Sequence, residues 1–151
     1  MINHSLLDEL KSVSISNSSR DEYLLNTAEL IQKHFPVYIW IGYYFLKGDK
    51  LHVGPYVGKP TPHTVIDLHK GICGAAVSQK ATIIVDDVNA DPRYLACSLE
   101  TKSEIVIPLI VNGRIIGELD IDSDKKAAFS EDDKLILEAA VEIIGQALAK
   151  T

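Results

Sequence analysis

The chain is short of sulfur, of basic charge and of long apolar runs. Its 151 residues include two cysteines, one methionine and one tryptophan. Two thiols cannot make a disulfide framework, and a core of this size needs none. Cys73 and Cys97 therefore read as buried, metal-bound or redox-active groups. Lysine and arginine number 15 against 21 aspartates and glutamates, for a formal charge of −6. No basic stripe is present to neutralise phosphates, which argues against a nucleic-acid partner. No apolar run approaches the roughly 20 residues that cross a bilayer, so no membrane partner is expected. The start, M-I-N-H-S-L-L-D-E-L, is polar and acidic and has no signal-peptide pattern, so the expected location is cytoplasmic. No internal repeat interrupts the chain. Residues 1–151 read as one domain, with 1–17 a leading helix or arm.

What is present is concentrated between Ala96 and Asp122. Cys97 stands at the entrance. An apolar run from Glu104 to Val111 turns at Asn112-Gly113 and returns through Arg114 to Asp122. Asn-Gly between two such runs predicts a hairpin, because both residues tolerate the positive φ of a type I′ turn. Side chains alternate along a strand, so Glu118, Asp120 and Asp122 share one face while Leu119 and Ile121 share the other.

The remaining elements follow from spacing. Ser19 and Glu22 fit a capping box at the start of an amphipathic helix carrying Leu24, Ala28, Ile31 and Phe35, stopped by Pro36. Val37 to Leu46 is β-branched and aromatic and predicts a central strand. Strict alternation puts Tyr38 and Trp40 on one face and Ile39 and Tyr43 on the other. Leu51 to Val57 is its antiparallel partner, after the turn Lys47-Gly48-Asp49-Lys50. The stretch G-K-P-T-P-H-T is a loop, and Val65 to Leu68 and Thr82 to Val85 are short strands. Between them Gly71 opens a small-residue helix with Cys73 in its first turn. Tyr94 to Cys97 has room for one helical turn. Ser130 caps a final helix with Leu135, Ala139, Ile143 and Leu148 on one side. Antiparallel strands between terminal helices predict an α+β domain, its terminal helices packed on one sheet face.

Four groups of residues can carry chemistry. Cys73 sits near a helix N-terminus, where backbone dipoles lower a thiol pKa; flanked by Ile72 and Ala75, it also fits a small buried hydrophobe. Cys97 sits in a polar loop where a thiol is accessible. The acids Glu104, Glu118, Asp120 and Asp122 either line a solvated edge or share a pocket. In a pocket they bind a cation, or one of them keeps a proton and serves as a general acid. Trp40 or Tyr44 can wall a small-molecule pocket, where an aromatic ring packs on a thioether or cation, or simply fill the core. A zinc site from Cys73, Cys97 and His63 or His69 matches no compact zinc spacing, so no metal is expected.

The motifs W-I-G-Y-Y (Trp40 to Tyr44), G-P-Y-V-G-K (Gly54 to Lys59), G-I-C-G-A-A (Gly71 to Ala76), D-V-N-A (Asp87 to Ala90), Ala96-Cys97, S-E-I-V-I-P-L (Ser103 to Leu109) and G-E-L-D-I-D-S (Gly117 to Ser123) resemble those of GAF domains. Within that superfamily the chain is most similar to the free methionine-(R)-sulfoxide reductases. The resemblance implies a GAF fold with a loop-roofed pocket and reduction of the free R sulfoxide. Thioredoxin would be the recycling reductant, with no bound cofactor. It implies active-site cysteines at Cys73 and Cys97, substrate-contacting acids at Glu104, Asp120 and Asp122, and pocket aromatics at Trp40 and Tyr44. Many members carry a third cysteine about ten residues before the G-x-C-G motif. Here Pro62 or His63 stands in its place, which leaves Cys97 to pair with Cys73 or with an external thiol. Cys97 is the expected nucleophile with Cys73 resolving, and the reverse order is also open.

Two other readings use the same residues. One is a small-ligand-binding or redox-sensing module without turnover. Three carboxylates in its pocket would repel an anionic cyclic nucleotide. The other is a homodimerisation domain using Val141, Ile144 and Leu148, which equally suffice to pack a helix on a sheet.

Overall fold

The computed structural model describes residues 4–16, 19–94 and 100–151. Helices α1 (His4–Ser12) and α2 (Arg20–His34) lead into strands β1 (Tyr38–Lys47), β2 (Lys50–Val57) and β3 (Val65–Asp67). Helix α3 (Gly71–Gln79), strand β4 (Ile83–Val85) and a single 3-10 turn, Val88–Ala90, follow. Strands β5 (Ser103–Val111) and β6 (Arg114–Ser123) then precede α4 (Glu131–Ala149). The strands form one antiparallel sheet in the order β3-β2-β1-β6-β5-β4, so the fold is α+β.

Local chemistry accounts for the element ends. At the β5–β6 turn Asn112 and Gly113 have φ of 51° and 78°, the left-handed values that Asn and Gly tolerate. Ser130 Oγ accepts from Asp133 N–H at 3.1 Å and Asp133 Oδ2 accepts from Ser130 N–H at 3.0 Å, a complete capping box on α4. At α2 the structure shows the half in which Ser19 Oγ accepts from Glu22 N–H, at 3.1 Å. Pro108 lies past the end of β4, where β5 has no pairing partner on that side among the described residues and a proline is tolerated.

Helices α1, α2 and α4 cover one face of the sheet around a core that includes Leu24, Ile31, Ile41, Ile105, Leu119, Ile121, Leu137 and Ile144. The opposite face carries a second, smaller cluster around Trp40, Tyr44, Leu51, Ile66, Cys73 and Val106. Among the described residues no helix is long and apolar enough to cross a membrane.

Three expectations need correction or limiting. The buried stripe of α4 is Ile136, Leu137, Ala140, Val141, Ile144, Gly145 and Leu148, while Leu135 is exposed. The helix is turned by one residue from the predicted face, because apolar positions on both sides of the stripe hide its centre. Val141, Ile144 and Leu148 are thus taken up by the chain's own core. Tyr38 and Trp40 do not share a face. The β1–β6 register shifts between them, so that Ile39 is a bulge residue. Tyr38 turns to the helix side, stacked on Phe35 at 4.7 Å, and Trp40 to the other cluster. The helical turn expected at Tyr94 to Cys97 falls mostly outside the described residues, as does Cys97 itself.

Candidate active site

The hairpin and β1 set the site out as a ladder. Strand β6 lies between β1 and β5, and directly opposed residues share a face. The first rung is Trp40–Asp122–Glu104, the second Gly42–Asp120–Val106 and the third Tyr44–Glu118–Pro108. Successive rungs on one face are about 7 Å apart. The acids therefore do not line a solvated edge: Glu104, Glu118, Asp120 and Asp122 are 5, 0, 3 and 3% exposed, buried in the middle of the sheet.

The aromatic groups wall this row. A Cβ on Gly42 would overlap the Trp40 ring, so the glycine lets the indole lie across the strand. Trp40 stacks on Tyr56 at 5.1 Å, and its Nε1–H donates to the Lys59 carbonyl at 3.0 Å. Tyr44 hydroxyl donates to the His63 carbonyl at 2.8 Å. These two bonds hold the Gly58–Thr64 loop against the mouth of the site.

Helix α3 brings the thiol down onto the row. Gly74 allows the approach, since a Cβ there would stand 2.6 Å from the Leu68 carbonyl oxygen. Cys73, 6% exposed, donates from Sγ to Asp120 Oδ2 at 3.5 Å. Thr101 Oγ1 donates to Asp122 Oδ2 at 3.4 Å. Cys73 Sγ and one carboxylate oxygen each from Glu104 and Asp120 lie within 4.8 Å of one another. Both Glu118 oxygens, Asp120 Oδ1 and Asp122 Oδ1 are buried without a hydrogen-bond partner among the described residues. Among the described residues, no ion pair involves Glu118, Asp120 or Asp122.

Burial decides the electrostatics. Glu118, Asp120 and Asp122 all have raised pKa values, chiefly from desolvation; Asp120 adds to the rise of its two neighbours. The Cys73 thiol is also pushed well above its ordinary value, by burial first and then by Asp120, Glu118 and Glu104. This reverses the lowering expected from its helix position. A helix N-terminus is worth about 0.3–1 kcal/mol to an anion. Full burial moves a pKa by as much as 3–5 units, about 4–7 kcal/mol. Cys73 is thus a thiol that donates a hydrogen bond, and burial shifts Glu118, Asp120 and Asp122 beneath it toward their protonated forms.

Space is divided in two. A cavity of about 20 Å³ above Cys73, Glu104 and Asp120, bounded also by Tyr44 and His63, has room for one water-sized particle. A cleft of about 410 Å³ opens beside it, lined by Trp40, Asp122, Thr101, Gly58, Lys59 and Glu100. Lys59 and Glu100 pair at 2.6 Å on its rim. A separate cavity of about 530 Å³ between α4 and the β5 edge has no thiol among the described residues that line it.

Of the residues singled out by sequence, the structure brings together Cys73, Glu104, Asp120, Asp122, Trp40 and Tyr44. His69 is not among the groups around that thiol. Thr101 and Tyr56 were missed as site residues, and Glu118 was read among the candidate acids but not among those expected to contact substrate. Tyr56 was findable only through pairing, because it stands opposite Gly42. Thr101 lies outside the strand pattern.

A six-stranded antiparallel sheet, backed by helices and carrying a polar pocket on its other face, defines the class. The chain belongs to the GAF domain family, whose sequence profile matches residues 19–148. The free methionine-R-sulfoxide reductase of Escherichia coli is 36% identical over 128 residues, covering 85% of this chain and 77% of that protein. The crystal structure of the free methionine-R-sulfoxide reductase of Neisseria meningitidis in complex with its substrate superposes with a TM-score of 0.87 at 36% identity, covering 93% of this chain and 84% of that one. A putative GAF sensor protein of Burkholderia vietnamiensis superposes with a TM-score of 0.90 at 33% identity, covering 97% and 95%.

Proposed function

We propose that the protein reduces free L-methionine-(R)-sulfoxide to methionine. The observation that carries this reading is the buried acid row against a buried thiol, with no ion pair to Glu118, Asp120 or Asp122 among the described residues. Such a row favours a ligand that is cationic at one end and accepts a proton at the other. A free amino acid sulfoxide has both an ammonium group and a basic sulfoxide oxygen. A peptide-bound methionine lacks that ammonium. The named reductases of Escherichia coli and Neisseria meningitidis support the same substrate.

Cys97 is the attacking thiol and Cys73 the resolving one, since a thiol held protonated by burial is a poor nucleophile. The Cys97 thiolate attacks the sulfoxide sulfur. The sulfoxide oxygen takes one proton from the acid row; the bond between Cys97 and the substrate sulfur then breaks as the hydroxyl passes to Cys97 as sulfenic acid, and the substrate sulfur keeps the electron pair and leaves as the thioether. The Cys73 thiol then condenses with the sulfenic acid, giving a Cys73–Cys97 disulfide and water. A thioredoxin-like dithiol of the cytoplasm reduces that disulfide by exchange. Glu104, Asp120 and Asp122 contact the substrate, Asp120 supplies a proton, and Trp40 and Tyr44 wall the methyl-thioether end.

Steady-state turnover of the free R epimer, the free S epimer and the N-acetylated R sulfoxide tests this reading, with dithiothreitol and with thioredoxin. Turnover confined to the free R epimer, and lost in Cys97→Ser with either reductant, is the expected result. A folded protein that turns over none of the three is a ligand-binding GAF module instead.

A further inference from the structure

We propose that Cys73, Glu104 and Asp120 form a binding site for a thiophilic divalent cation of the zinc class. The three donors come from α3, β5 and β6, so the site exists only in the fold and has no sequence spacing to announce it. Their atoms lie within 4.8 Å of one another, and the residues are 6, 5 and 3% exposed. Ligands of tetrahedral zinc stand about 3.3–3.8 Å apart, given bonds of about 2.0–2.3 Å. Closing the set therefore takes about an ångström of side-chain movement.

Two independent features point to a ligand. Asp120 Oδ1 is buried and has no hydrogen-bond partner among the described residues. The cavity of about 20 Å³ bounded by all three residues matches one water-sized particle, which is also the scale of a single ion. The donor set selects the ion. One sulfur with two carboxylates suits zinc or cadmium, whereas calcium takes six to eight oxygens and magnesium an octahedron of them. Three protein ligands leave a fourth position to solvent. On binding, the Cys73 thiol loses its proton to solvent and the sulfur becomes a metal thiolate. The cation then occupies the thiol and acids that the reductase reading gives to the sulfoxide. Its action as an inhibitor rests on that reading, whereas its binding does not.

The test is a titration of the reduced, metal-free full chain with Cd²⁺, followed by the ultraviolet thiolate-to-metal absorption. Zn²⁺ affinity is measured by competition with a chromophoric chelator. The expected result is one Cd²⁺ per chain, with the band kept in Cys97→Ser and lost in Cys73→Ser. Zn²⁺ binding should weaken at least tenfold in Glu104→Gln, a near-isosteric change, with circular dichroism confirming the fold of each variant. No band in the wild type overturns the proposal, as does a band kept in Cys73→Ser. If the protein also turns over sulfoxide, Zn²⁺ should raise KM and leave kcat unchanged. Metal binding at Cys73 without turnover counts against the reductase reading alone. Turnover without metal binding counts against this proposal alone.

Discussion

The two faces of strand β6 are equally dry and chemically opposite. On the helix side Leu119 and Ile121 are fully buried among aliphatic and aromatic partners. On the other side Glu118, Asp120 and Asp122 are buried to the same degree, with four of their oxygens unpaired among the described residues. The helix side is not free of unpaired polar atoms, since Tyr23 and Tyr38 hydroxyls are buried there too. Those groups are neutral, and burial only raises their already high pKa values. A buried carboxylate costs several kcal/mol unless it takes a proton or a cation. One face thus stabilises the fold, while the other is held ready for a ligand that brings what it lacks.

The sharpest break between the faces is a pair of neighbouring substitutions. Asp120→Asn keeps the shape and removes the proposed proton donor. It should lower kcat/KM for the free sulfoxide by about 10²–10⁴-fold while leaving the urea midpoint no lower than wild type. Ile121→Ala, one residue away, should do the reverse. Its expected cost is about 2–5 kcal/mol in urea unfolding, with kcat retained in the folded fraction. If Asp120→Asn unfolds the protein and leaves catalysis intact, the division of labour is wrong.

A pH series sharpens the contrast. The folded-state pKa values of Glu118, Asp120 and Asp122 lie above the ordinary 4.5 and 3.8. Their stabilisation is therefore complete below those values and is lost as pH rises through the folded pKa values. Each group contributes a slope of about 1.4 kcal/mol per pH unit across its own window. Glu118→Gln should flatten the decline by one group's share, measured as unfolding free energy from pH 4 to 8. The same sign applies to Cys73: its contribution is present below the ordinary thiol value of 9.0 and is lost above it. The smallest effect belongs to the rim. Lys59→Ala removes an ion pair with both partners more than half exposed, and should change stability by less than about 1 kcal/mol in the same unfolding assay.

How much of this was legible beforehand follows from which features are local. The hairpin was readable because Asn112 and Gly113 state their own backbone geometry. The shared face of Glu118, Asp120 and Asp122 was readable because strand alternation is local. Their burial was not, because it depends on β6 lying between β1 and β5, and the order of strands is set by the whole chain. The same limit left Cys73 open between a lowered thiol and a small buried group, and its burial favours the second. Its place near a helix start is visible in G-I-C-G, while Asp120 beneath it arrives from 47 residues away. The bulge at Ile39 left no mark in an uninterrupted β-branched and aromatic run, and so Tyr38 went to the wrong face. The family motifs supplied Glu104, Asp122 and Trp40 as a set, which the register then places on one rung.

The most direct measurement is a single turnover with the fully reduced protein and no added reductant. Free L-methionine-(R)-sulfoxide is supplied in excess, methionine is quantified, and thiols are mapped by mass spectrometry. The expected result is about one methionine formed and two thiols lost per chain, joined as a Cys73–Cys97 disulfide. A folded, reduced protein that forms no methionine would contradict the assignment of the acid-lined face as the reductase site, and methionine formed with Cys97 unchanged would contradict Cys97 as the attacking thiol.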